Sequence, residues 1–159
     1  MGTENRSSPL TIEGVGKMNM TVAIVGLLVV GGFSSAMTQD AQPRSTLDGV
    51  FSEAQAKRGE DAYQGSCAQC HGNDLISVDS ETPSLTGPRF KAQWVGKTLA
   101  ERFELIRTTM PSTNPGNLDD QTNIDILAFI LKFNDYPAGK RDLAVDLQIL
   151  AKITVAPVP

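Results

Sequence analysis

The sequence predicts an all-α fold, on three observations. Apolar residues recur at three- and four-residue spacing in separate stretches over residues 53–66, 99–107 and 119–133. The first two stretches open on Ser52-Glu53-Ala54-Gln55 and Thr98-Leu99-Ala100-Glu101, a pattern in which side chains satisfy the amide donors left free at a helix start. No stretch alternates apolar and polar residues as a half-buried strand does. At 159 residues the chain is long enough for one such domain with one core, assigned to residues 50–159.

The segment before that domain reads differently. Residues 1–20 are polar, with Arg6 and Lys17 balanced by Glu4 and Glu13. Residues 21–33, TVAIVGLLVVGGF, form an uncharged apolar run, too short for a helix across a bilayer core of ~30 Å, which needs about 20 residues. With Lys17 ahead of it and Ser34-Ser35-Ala36 behind, the run reads as the apolar part of a signal peptide spanning 1–36 and cut after Ala36. Left uncleaved, the same run is a membrane anchor, and the only route by which this chain meets a membrane. Residues 37–49 lack periodicity, contain Pro43 and read as a linker.

Within the domain, the first helix places Gly59, Ala62, Tyr63 and Ser66 on one face and Lys57 with Asp61 on another. A glycine inside a helix costs about 1 kcal/mol against alanine, so either another backbone comes close at Gly59 or the residue is a tolerated surface glycine. Residues 72–90 read as loop, punctuated by Pro83, Gly87 and Pro88. The second helix carries Leu99, Phe103 and Ile106 on one face and leads to Met110. Pro111 and Pro115 enforce a loop, after which residues 117–120 supply caps and negative charge for the third helix. That helix is apolar around most of its circumference, through Ile124, Ile126, Leu127, Phe129, Ile130 and Leu131, and is therefore expected to be buried. Farther on, Leu143, Leu147 and Leu150 recur at helical spacing, as a short covering segment would.

Between the first helix and the loop stands Cys67-Ala68-Gln69-Cys70-His71. Two thiols three positions apart, followed at once by an imidazole, match covalent haem attachment: each sulfur adds to one vinyl group and the histidine turns toward iron. The competing readings are weaker. A zinc site needs about four ligands, and the chain has no other cysteine and no other histidine. A redox dithiol normally follows a strand in a βαβ pattern, which is missing.

Haem iron also needs a ligand on its other face. Bis-histidine ligation within the chain is impossible, since His71 is the only histidine. Once residues 1–36 are removed, the remaining methionines are Met37, on the tail, and Met110, which leaves Met110 as the ligand by elimination. The alternative is a core methionine, with iron five-coordinate or bound by lysine or water. The formal net charge of −4 disfavours nucleic acid and anionic lipid as partners.

The order Gly59-x-x-x-Tyr63, Cys67-x-x-Cys70-His71-Gly72, Pro83-x-Leu85-x-Gly87, Met110-Pro111 and Ile126-x-x-Phe129 resembles a class I cytochrome c over residues 52–135. The resemblance implies an all-helical fold around one covalent haem c. It also implies that the first and last helices cross where Gly59 and Tyr63 meet Ile126 and Phe129. Cys67 and Cys70 would carry the haem, with His71 and Met110 as axial ligands, and the Pro83 carbonyl would accept from His71 Nδ1. Trp94, the only tryptophan, would either donate to a propionate or pack in the core. Leu85, Leu99, Phe103, Ile106 and Leu127 would form apolar walls that raise the potential.

Three further stretches, residues 90–99 (FKAQWVGKTL), 107–111 (RTTMP) and 134–139 (NDYPAG), are similar to small cytochromes that accompany quinoprotein dehydrogenases. That likeness implies a periplasmic one-electron carrier between a dehydrogenase donor and a respiratory acceptor, an electron-transfer protein rather than an enzyme, although one able to serve as an oxidoreductase subunit. The competing class is a haem enzyme or sensor whose sixth ligand leaves to admit peroxide or a gas. A peroxidase site usually wants a distal histidine or arginine, and the chain has no second histidine.

Overall fold

The computed structural model describes residues 45–159. The expected signal peptide over 1–36, and the linker as far as residue 44, lie outside the described residues. Among the described residues no helix is long and apolar enough to cross a membrane.

Helix α1 (Glu53–Ser66) begins where Ser52 accepts the Gln55 amide at 3.0 Å. The reciprocal half of the expected capping box is not the use made of Gln55. Its side chain is buried and spans to Leu143, accepting from the Leu143 amide at 2.6 Å and donating to the Leu143 carbonyl at 3.0 Å. A partner 88 residues away thus displaces a local cap. Helix α2 (Ala68–His71) follows α1 almost directly.

Helix α3 (Gly87–Trp94) takes in four residues expected in the loop of 72–90. Pro88 reads as a breaker but sits in the first turn, where the missing amide has no intrahelical partner to lose. Helix α4 (Leu99–Thr109) has both halves of its capping box: Thr98 accepts the Glu101 amide, and the Glu101 carboxylate accepts the Thr98 amide at 2.7 Å. Helix α5 (Asp120–Phe133) is capped by Asp119, which accepts the Thr122 amide at 2.8 Å. Its residues 123–131 are all buried, as its apolar circumference predicts.

Helices α1 and α5 cross at Gly59. A Cβ built there would overlap the carbonyl oxygen of Asp125, so the two backbones touch and the close-approach reading of this glycine holds. Beside the crossing, Tyr63 and Phe129 meet at 5.1 Å between ring centroids, tilted by 51°. At its rim Arg58 grips Asp125 with two hydrogen bonds, 2.8 and 3.1 Å, and extends to Asp142 at 2.8 Å. The Asp125 carboxylate is buried, whereas Arg58 is half exposed. Arg58→Met leaves that carboxylate with Gln121 as its remaining hydrogen-bond donor. It is expected to cost about 2 kcal/mol in chemical denaturation, below the full price of a broken buried pair because water reaches the arginine.

The C-terminal residues, 135–159, wrap back over the bundle as a strap. Val155 pairs with both Gly96 and Lys97 at 2.8 Å, the Leu99 amide donates to Ile153 at 2.9 Å, and the Thr46 amide donates to Thr154 at 3.0 Å. These are isolated bridges; no strand forms among the described residues, and the fold is all-α. The expected covering helix shrinks to α6 (Leu147–Leu150), with Leu143 and Leu150 buried and Leu147 exposed. Residues 45–49, expected as linker, belong to this folded unit: a 3-10 turn (Thr46–Asp48) caps on Ser45, and Thr46 is fully buried.

Candidate functional site

Helix α1 ends by handing its last turn to Cys67, whose amide donates to the Tyr63 carbonyl at 2.8 Å. The chain coils again at once. Cys70 and His71 donate their amides to the Cys67 carbonyl at 3.1 and 3.0 Å, which sets the two sulfurs one turn apart with the imidazole beside the second. Gly72 then leaves at φ +75, in the left-handed region, and a side chain there would also overlap the Ile76 carbonyl. The buried Tyr63 hydroxyl donates to the Gly72 carbonyl at 2.8 Å and ties this exit to α1.

His71 is buried, and its Nδ1 lies 2.9 Å from the Pro83 carbonyl oxygen. A carbonyl only accepts, so Nδ1 carries the proton and the free lone pair is on Nε2. The chain that carries this carbonyl is tied down two residues on, at Leu85. The Leu85 amide donates to Leu75 at 2.8 Å, and Asn134, at the end of α5, donates to the Leu85 carbonyl at 2.9 Å.

These groups open on one cleft, the concave kind of site that takes a small ligand or cofactor. Cys67, Cys70, His71, Pro83, Leu85, Trp94 and Met110 all line it. Met110 caps the end of α4, half-buried, its amide on the Ile106 carbonyl at 2.9 Å. Phe103, Leu99 and Leu127 are buried in the core and are not among the residues that line the cleft. On α4 the lining residues are Arg102, Leu105, Ile106 and Met110, whereas Leu99 and Phe103 are sunk in the core. One amphipathic stripe was legible in α4, but the helix has two jobs and only Ile106 serves both. Sequence reasoning also left out Ile126 and Ile130, which face the cleft from α5.

In thiol form Cys67 is pushed up to about 11, first by burial and then by the charge of Cys70. That runs opposite to a redox dithiol, whose attacking thiol is lowered. Among the described residues no group of three or more His, Cys, Asp and Glu could hold a bare metal ion. The donor set is two thiols, one imidazole with a free Nε2 and one thioether, in an otherwise mostly apolar cleft whose one guanidinium belongs to Arg102. This set fits a covalently held haem better than any isolated cation.

Residues 54–130 match the family described as cytochrome c oxidase, cbb3-type, subunit III. Cytochrome c-551 of Bacillus subtilis is 30% identical over 74 residues, a match that takes in 46% of this chain and 66% of that protein. The chain therefore spans just under two thirds of its curated relative. A solved structure, the sulfane dehydrogenase SoxCD from Paracoccus pantotrophus, is similar at a TM-score of 0.46 and 20% identity, over 63% of this chain and 52% of that one. That likeness is too slight to bear on function.

Proposed function

We propose that this chain is a c-type cytochrome, an exported, periplasmic one-electron carrier in which His71 and Met110 would hold the iron of one haem c, a reading supported by its likeness to cytochrome families. Haem supplies the redox couple when bound, iron passing between ferric and ferrous. The residues of this chain do the rest. Cys67 and Cys70 tether, Pro83 orients the imidazole, and Leu85, Ile106, Ile126 and Ile130 exclude water from the cleft. A dry surround disfavours the more highly charged ferric state, and a soft neutral thioether does the same, so both raise the potential.

The observation that carries this reading is the bond from His71 Nδ1 to the Pro83 carbonyl, 2.9 Å, which leaves Nε2 as the donor atom. The proposed donor is a dehydrogenase, of the quinoprotein kind by resemblance, and the proposed acceptor a respiratory component. Contact with either would be small and brief, below ~1,200 Å² of buried area.

Met110→Ala tests the ligation and separates carrier from sensor. Wild-type ferrous protein is expected to refuse carbon monoxide. The variant is expected to bind it and to lose at least tenfold in its reduction equilibrium, about 59 mV for one electron. A wild type that binds carbon monoxide at rest would favour the gas- or peroxide-binding alternative.

A further inference from the structure

We propose that Arg102 receives the carboxylate edge of the haem, its guanidinium resting on Trp94, and that this pairing holds the reduction potential up. The inference rests on the haem reading above and deepens it.

The starting observation is an orphan. Arg102 Nε is buried and has no hydrogen-bond partner among the described residues. Nitrogens of this kind are rare, because a buried donor on a charged group that goes unmet costs more than a neutral one. The other cations of this helix and its approach are accounted for: Arg107 bonds Glu104 at 2.9 Å and reaches Asp120 at 3.5 Å, and Lys97 lies 3.7 Å from Glu101. Glu101, next to Arg102 in the chain, spends one carboxylate oxygen on the Thr98 amide and hydroxyl. Arg102 alone turns its donor inward, and it is the only Lys, Arg, Asp or Glu lining the cleft.

Its position is also defined. The guanidinium carbon sits 5.9 Å from the centroid of the Trp94 ring, and Trp94 is itself buried and stacked on Phe90 at 4.9 Å. A cation held against an indole face has its plane restricted before any ligand arrives, and a fork of N–H donors matches a carboxylate in two places. The ligand this cleft is built for carries two carboxylates, its propionates, on the edge away from the vinyl groups that Cys67 and Cys70 would take. An anion meeting Arg102 satisfies the orphan donor and keeps its own charge cancelled. Without the arginine, that carboxylate stands uncompensated near iron and stabilises the ferric state, which lowers the potential.

Potentiometric titration and resonance Raman spectra of haem-loaded wild type, R102Q and R102K test this. R102Q is expected to lose roughly tenfold in the reduction equilibrium, about 59 mV, and to shift the propionate bending band. R102K restores the charge and is expected to recover most of the potential, which a packing role alone would not predict. An R102Q potential and band both unchanged from wild type overturn the proposal. Should R102Q fail to fold, R102K decides: a propionate band identical to that of wild type, which a lysine without the two-point fork would not give, or a potential as low as that expected for R102Q, overturns it as well. Haem on the wild type is measured first by mass: its absence defeats the functional reading, whereas its presence with an unmoved potential defeats Arg102 alone.

Discussion

Gly59→Ala is expected to destabilise this protein by about 3 kcal/mol or more, the top of the range for overpacking. The added methyl would lie on the Asp125 carbonyl, a backbone atom that no side-chain rotation moves aside, so α1 and α5 must separate along their whole crossing. Alanine is the better helix former by about 1 kcal/mol, and that gain has the opposite sign. The steric term wins because the Tyr63–Phe129 contact and the Arg58–Asp125 pair lie beside the same crossing and slacken with it. For a domain of this size the loss corresponds to a melting temperature lower by about 12 °C or more. A variant that melts within a few degrees of wild type would mean that the helices do not cross here.

The second large effect is expected from Cys67→Ala/Cys70→Ala. With neither tether, the cofactor is no longer retained through denaturation, and its stabilising contribution becomes dependent on concentration like that of any bound ligand. The loss extends to the fold. Leu85, Ile106, Ile126 and Ile130 all face the cleft, and without a permanent occupant they present apolar surface to water. The double variant is expected to lose its visible haem spectrum on gel filtration in mild denaturant and to aggregate. Retention of a stoichiometric, non-extractable chromophore would contradict the role of the two sulfurs.

What the sequence revealed, and what it hid, follows the range of the interactions. Helix α1 was legible to the residue and α5 to within one, because their start signals are local and their apolar faces are broad. Gly59 stood out for its local cost, but the choice between a close neighbour and a tolerated surface glycine was made only by the fold. The first turn of α3 was hidden by Pro88, since a proline that breaks a helix and one that begins it look alike until the helix is seen. Gln55 was misjudged because its partner is Leu143, and nothing local announces a pairing across that separation.

The strap was illegible for a related reason. Its hold on residues 96–99 runs through backbone groups, which every residue carries and no pattern marks. At the site, Cys67, Cys70 and His71 could be named from the motif, Met110 by elimination and Pro83 from the family resemblance, and all five line one cleft. Phe103 and Arg102 could not be sorted that way. They are adjacent on α4, and a difference of about 100° decides which enters the core and which the cleft.

The measurement that bears most directly on the whole account is the mass of the exported polypeptide under denaturing conditions, read with its oxidised and reduced optical spectra. One haem added per chain through Cys67 and Cys70, no titratable thiol, and a low-spin six-coordinate spectrum in both oxidation states are expected. A polypeptide of unmodified mass with two free thiols would contradict it.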